Sequence, residues 1–236
     1  MGNPLIRRLA SFSDLGADDC ATLELLCRSP GRGHVEGALV GEKGRPEAAV
    51  CFLEGWGYRY IVTAEGRCQI VALLLPSDIC EPYGYLLGTT DYPLGVQGRA
   101  EIVIVPGPTI AGLTKRHPAI VQALLRSTLV DGAILRQWLV NVGQRDARQR
   151  LAHLFCELWY RLNQVGHADE GGFECPLTQE QLGGILALTA IHVNRTLKQL
   201  RTEGLISFQQ KRVGLPDRKR LEQVAGFDPR YLHLAR

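Results

Sequence analysis

The spacing of hydrophobic residues changes character along the chain, and each change marks an element. Between residues 5 and 30, Leu15, Leu23, Leu25, Leu26 and Cys27 recur among acidic residues until Ser29-Pro30, which predicts a helical opening segment. From 31 to 110 the texture is different. Short apolar runs, "AAVCFLEGWGYRYIVT", "RCQIVALLLP" and "YPLGVQGRAEIVIVP", are punctuated by glycine and proline. Runs of this length at this spacing predict an antiparallel sandwich or roll, with "AEGR" at 64–67 as a hairpin turn. Helical spacing returns at 118–142, where Gly132 is the single glycine and no proline follows Pro118. That helix would be about 37 Å long.

Its apolar stripe, from Val121, Leu124 and Leu125 through Thr128, Leu129 and Leu135 to Trp138, Leu139 and Val142, is too broad for one partner surface. Half of it suits the strand domain and half a second copy of the chain, so Val121, Leu124, Thr128, Leu135, Trp138 and Val142 are candidate dimer contacts. The plainer alternative is a helix wholly inside one core. Gly143 follows as a candidate hinge. A second amphipathic helix starts near Asp146, with Leu151, Leu154, Phe155, Leu158, Trp159 and Leu162 on one face. "GHADEGG" at 166–172 then breaks the chain.

The most informative stretch is "LTQEQLGGILALTAIHVNRTLKQLRTEGLI", residues 177–206. Thr178 with Gln181 forms the pattern of a capping box, and Leu182, Ile185 and Leu186 face inward. Gly183 and Gly184, costly inside a helix, imply the close approach of another helix. Thr189 caps a second helix whose inner side is Val193, Leu197 and Leu200. The outer side is then Ala190, Ile191, His192, Asn194, Arg195, Lys198 and Arg201. Gly204 suits a left-handed C-terminal cap, "LISF" begins a strand, and Gln209 to Arg212 makes a basic turn of the kind found in a β-wing. Two helices joined tightly, the second basic outside, match a helix-turn-helix whose second helix enters the major groove. Thr178, Thr189, Ala190, Ile191, His192, Asn194, Arg195 and Lys198 are the candidate groove and backbone contacts, with Lys211 and Arg212 on phosphates.

Charge supports this reading. The net charge is only +3, but Arg195, Lys198, Arg201, Lys211, Arg212, Arg218, Lys219 and Arg220 fall within 26 residues, opposed by Glu203 and Asp217. A local basic cluster in a near-neutral chain suits a polyanion. The seven cysteines are dispersed, odd in number and without a C-x-x-C pair, which argues against a disulfide framework or a zinc ribbon. No nucleophile–base or metal-ligand grouping stands out among the six histidines, so neither an enzyme nor a bound metal or cofactor is expected. The N-terminus lacks the apolar segment of a signal peptide, and no run of eighteen apolar residues exists. A cytoplasmic protein without a membrane partner is the expectation.

Residues 177–206 resemble the DNA-binding module of the Crp/Fnr transcription regulators, and "FDPRYL" at 227–232 is similar to the ending of that family. The resemblance extends to the layout and implies an α+β chain in three parts. Residues 1–117 form a cyclic-nucleotide-binding-like β-roll sensor, 118–143 a dimerisation helix, and 144–236 a winged helix-turn-helix. It implies a homodimer on a two-fold operator in double-stranded DNA, with RNA polymerase as a further partner and Arg195 as the reader of a guanine. A winged-helix protein-interaction or ligand-sensing module without specific DNA binding is the alternative.

Two departures from the family pattern matter. Ala190 and Ile191 stand where an acidic neighbour of the arginine is usual, so Ile191 is free to meet a thymine methyl. In the roll, Glu81 corresponds to the ribose-binding carboxylate, but Asp91 and Tyr92 stand where cyclic-nucleotide binders place Arg-Ser. A carboxylate there repels a phosphate, so cAMP is not the expected effector. Cys20 and Cys27 lack the remaining cysteines of an iron–sulfur site. An unidentified effector would lie among Trp56, Tyr58, Glu81, Tyr83, Tyr85 and Asp91, unless those rings merely fill the roll. Cys175, before Pro176 at the entrance to the DNA-binding part, is the candidate for a thiol switch.

Overall fold

Two short helices, rather than one segment, open the chain. In the computed structural model, which describes residues 3–28, 32–36, 39–40, 48–88 and 92–234, α1 spans Pro4–Ala10 and α2 spans Ala17–Cys27. The Asn3 side chain caps α1, accepting from Leu5 N at 3.0 Å. The Asp19 side chain reaches back to Gly16 N at 2.9 Å at the start of α2. Ser11 turns its hydroxyl onto the Arg8 carbonyl at 2.6 Å and ends α1, a local bond that competes with helix continuation.

The strands are β1 (Arg32–Glu36), β2 (Leu39–Val40), β3 (Ala48–Val62), β4 (Cys68–Leu74), β5 (Ile79–Cys80) and β6 (Leu94–Pro106). They run in the order β1-β6-β3-β4, with β2 also on β6 and β5 on β3. Two irregularities between Phe52 and Trp56 bend β3 against β6. Gly55 sits at the bend with φ +79°, and a Cβ there would lie 2.4 Å from the Arg99 carbonyl oxygen. Val50, Phe52, Leu74, Cys80, Leu94, Val96, Ala100 and Ile102 fill the roll. The turn expected at 64–67 is present: Thr63 N donates to Arg67 O at 2.9 Å across it.

An additional helix, α3 (Gly107–Arg116), precedes α4 (Pro118–Gln144). His117 separates them, its ring 2.8 Å from Asp19 Oδ1 and 3.3 Å from Thr22 Oγ1. Gly143 lies inside α4; the chain breaks at Arg145–Asp146 instead. By length and composition α4 is apolar enough to cross a membrane. Part of its apolar surface, including Ile120, Leu124, Val130, Ile134 and Trp138, is buried, however, and Asp131 in its middle pairs with Arg59.

Helix α5 (Ala147–Val165) has a reciprocal cap between Asp146 and Gln149 and ends at Gly166 with φ +83°. Then follow β7 (Ala168–Asp169), β8 (Gly172–Glu174), α6 (Gln179–Leu186), α7 (Ala190–Thr202), β9 (Ser207–Gln209), β10 (Arg212–Gly214), α8 (Arg218–Ala225) and a 3-10 turn at Pro229–Leu232. The four strands form a sheet in the order β7-β8-β10-β9. Leu151, Leu154, Phe155, Leu158 and Leu162 of α5 are buried, as are Leu182, Ile185, Val193, Leu197 and Leu200 of α6 and α7.

Two compact units divide the chain, one of residues 1–61 and 72–131 and the other of 62–71 and 132–234. The second therefore includes the tip of the β3–β4 hairpin. Gln69 Nε2 donates to the Ile185 carbonyl at 3.4 Å, and Gly184 faces the Cys68 carbonyl and Ile70. The close approach expected at the glycine pair is thus made by this hairpin and by the chain's own next turn, not by another helix. A Cβ on Gly183 would lie 2.4 Å from Leu188 O.

Candidate nucleic-acid interface

The sequence provides both caps of the helix-turn-helix. Thr178 Oγ1 accepts from Gln181 N at 3.2 Å and Gln181 Oε1 from Thr178 N at 2.9 Å, closing the capping box of α6. Thr189 Oγ1 accepts from His192 N at 3.2 Å at the start of α7. Between the helices Ala187 takes a left-handed conformation, φ 53°, without glycine. Each such residue costs on the order of 1–2 kcal/mol. The strain is held by Leu188 N donating to Gly183 O at 3.0 Å and by Arg150 Nη1 donating to Leu186 O at 2.9 Å.

Helix α7 is sharply two-sided. Val193, Thr196, Leu197 and Leu200 are buried, and the Thr196 hydroxyl is satisfied by His192 O at 2.9 Å. Ile191 is 84% exposed, and Asn194, Arg195, Lys198 and Arg201 are exposed beside it; Ala190 and His192 are half-buried. Asn194 Nδ2 donates to Gln179 Oε1 at 3.1 Å, so α6 presets its amide. Arg195 and Lys198 have no ion pair among the described residues. A guanidinium held free on an exposed helix face is what bidentate recognition of guanine requires.

The wing turn is Gln210–Lys211, both at positive φ (47° and 62°), between β9 and β10. Lys211 is exposed at its tip. Arg212 is less available, because its Nη2 donates to both oxygens of Asp169 at 2.7 and 2.9 Å. Arg218, part of the basic run, turns inward: its guanidinium lies 3.8 Å from the Trp159 ring centroid and pairs with Glu222 at 3.3 Å. Asp169, 43 residues from Arg212, was not legible locally, whereas Glu222 stands one helical turn from Arg218.

The α4 candidates divide between two faces. Leu124 and Trp138 are buried and Val121 and Val142 half-buried, whereas Thr128 and Leu135 are exposed. The row Leu125, Thr128, Gly132, Leu135, Leu139 and Val142 runs in alternating steps of three and four, exposed at Leu125, Thr128, Leu135 and Leu139 and half-buried at Gly132 and Val142. Leu135 and Leu139 are 53% and 68% exposed. This is the spacing of a coiled-coil seam.

The roll residues also separate. Trp56 and Tyr58 lie on one face of β3, where Tyr58 covers Gly95. Arg59 lies on the other, as strand alternation requires. There Glu81, held at φ 54°, accepts from the Tyr92 hydroxyl, and Arg59 spans Glu81 at 3.8 Å and Asp131 of α4 at 3.5 Å. The Arg59 guanidinium also lies 5.3 Å from the Tyr92 ring centroid. Tyr83 donates to the Val121 carbonyl at 3.2 Å, Tyr85 is half-buried, and Asp91 lies outside the described residues. Cys175, expected where helices no longer cover the chain, is instead 0% exposed. Burial pushes its thiol up to about 12, which keeps it protonated and a poor target for oxidants.

The sequence profile of the Crp-like helix-turn-helix domain matches residues 149–224. The chain is 30% identical to the transcriptional activator protein FnrL of Cereibacter sphaeroides, over 70% of its own length and 67% of the relative's. It belongs to the Crp/Fnr family of transcription regulators. A further relative in the family is the transcriptional activator protein anr of Pseudomonas aeruginosa, 23% identical over 90% of this chain and 86% of that protein. The fold is that of FixK2 from Bradyrhizobium japonicum, with a TM-score of 0.73, 22% identity, and coverage of 84% of this chain and 98% of that one. As a Crp/Fnr regulator the protein is a DNA-binding transcription regulator, with α7 as the second helix of its helix-turn-helix.

Proposed function

We propose that the protein acts as a homodimer that reads a two-fold-symmetric operator, with α7 of each protomer in the major groove. The observation that carries this is the pairing of a free basic face on α7 with an exposed apolar seam on α4. Arg195 reads a base, Ile191 packs on a thymine methyl, and Lys211 neutralises phosphate. Residues 118–143 dimerise, 1–117 sense, and 144–236 bind DNA, with RNA polymerase as the partner of the bound dimer. The unpaired Arg195 and Lys198 on the exposed face of α7 argue against a winged helix that binds only protein.

The test is direct. Leu135→Arg places a charge in the seam; it is expected to give monomers in sedimentation and to lose operator affinity sharply, because two half-sites one helical turn apart are no longer read together. Wild type that sediments as a monomer at micromolar concentration refutes the dimer, and affinity that ignores salt in filter binding refutes the DNA reading.

In the sensor, cAMP is not the effector. Glu81, the carboxylate that would hold a ribose, is already engaged by Tyr92 and Arg59. Millimolar cAMP is expected to leave melting temperature and DNA affinity unchanged, since a ligand without preference for one state shifts nothing. A rise in melting temperature overturns this.

A further inference from the structure

The least expected part of the DNA-binding unit is the back of α5. Glu157 is 0% exposed, yet its carboxylate receives three donors from three segments. Trp138 Nε1, near the end of α4, lies 3.2 and 3.1 Å from its two oxygens. Arg161 Nη1, one turn along α5, donates at 3.2 Å. The Tyr231 hydroxyl, from the C-terminal 3-10 turn, donates at 2.9 Å. One turn earlier, the buried His153 ring lies 3.3 Å from Asn141 Nδ2 of α4 and stacks on Tyr231 with centroids 5.9 Å apart. Asn141 Oδ1 in turn accepts from Arg145 at 2.8 Å, at the break between α4 and α5.

Apolar side chains would pack such a joint at least as stably, because a buried charge carries a desolvation cost. What the polar joint adds is direction: its hydrogen bonds are satisfied at one relation of α4 to α5. The helix-turn-helix follows α5 rigidly, since Arg148 of α5 bonds Glu203 at the end of α7 at 3.0 Å and Arg150 bonds the end of α6 at 2.9 Å. In a dimer built on α4, the α4–α5 relation then fixes how far apart, and at what rotation, the two α7 helices stand.

We infer that Glu157 and Tyr231 are positioning residues that set the half-site spacing the dimer accepts, the C-terminal turn acting as the latch of the joint. This rests on the dimer reading above. It gives Tyr231 a role although it is remote in sequence from α7, and it gives the buried carboxylate one that packing alone would not require.

The experiment uses the full chain and an operator recovered by selection from random DNA. Affinity is measured for that operator, for versions with one base pair added to or removed from its centre, and for a single half-site. Each one-base-pair change is expected to cost wild type about tenfold, since it moves and rotates one half-site against the other. Tyr231→Phe keeps the ring and removes one donor, and Glu157→Gln keeps the shape and removes the charge. Both are expected to cut the spacing penalty at least threefold while half-site affinity stays within twofold of wild type. Variants that keep the full wild-type penalty overturn the inference. So do variants whose half-site affinity falls as much as their operator affinity, the mark of a merely structural role. Wild type that binds DNA yet ignores spacing overturns the dimer reading itself, and the inference with it.

Discussion

Helices α5 and α7 look alike as sequences, each an apolar stripe with a charged back, but they use their polar sides in opposite ways. On α7 the polar side faces out and Arg195 and Lys198 stay unpaired, at little cost because water solvates them. On α5 the polar side is covered too: His153, Glu157 and Arg161 are buried among α4 and the C-terminal turn. The lesson is that a polar face reports exposure only when nothing downstream returns to cover it. One helix is built to exchange partners and the other to keep them.

The sharpest break of this contrast is Glu157→Ala, which strands Trp138, Arg161 and Tyr231 in a fully buried site. It is expected to destabilise the protein by about 3–5 kcal/mol in denaturant unfolding, the range for removing one partner of a buried ion pair. Acid probes the same joint. Burial lowers the His153 pKa to about 3, so the ring stays neutral in the fold while the unfolded chain takes up a proton near 6.5. The unfolded state therefore binds more protons as pH falls below 6.5. This group alone is expected to lose about 2 kcal/mol of stability between pH 7 and pH 5. A His153→Gln variant whose stability declines as steeply over that interval would remove the assignment.

On the α7 side, Arg195→Ala is expected to cost about 1–3 kcal/mol of operator affinity and to relax one base position. Stability is expected to stay within about 0.5 kcal/mol, as for an exposed residue without packing. Equal losses on operator and random DNA would mean that Arg195 holds phosphate instead. Lys211→Ala is a smaller change that weakens all sequences alike and lowers the salt slope by about one. Smallest is peroxide: wild type and Cys175→Ser are expected to bind operator equally before and after treatment.

How much of this was legible beforehand follows the same contrast. The two caps, the inner residues of α6 and α7 and the wing turn could be read from local spacing, because each is decided within a few residues. The α4 seam was half legible. The stripe was broad enough to show two partners, but recognising that Leu124 and Trp138 belong to the inner one, not to the dimer side, required knowing where the roll and α5 lie. The commitments of Arg212 to Asp169, of Arg218 to Trp159 and of Glu81 to Tyr92 and Arg59 depend on folded proximity, and no spacing rule announces them. Cys175 looked uncovered because the helices before it had ended, yet the small wing sheet buries it, with Cys175 N bonded to Lys211 O at 2.6 Å.

The hairpin tip at 62–71 has a consequence for how the chain is made. It belongs to the unit completed by residues 132–234, so Gln69 and Ile70 emerge from the ribosome more than a hundred residues before Gly184 and Ile185, their neighbours. Contacts so far apart in sequence close slowly. During vectorial synthesis Ile70, buried in the finished protein, waits without its seat while the rest of the roll forms around its own core. A fragment that starts after α4 lacks the tip altogether and leaves the Gly184 surface of α6 bare.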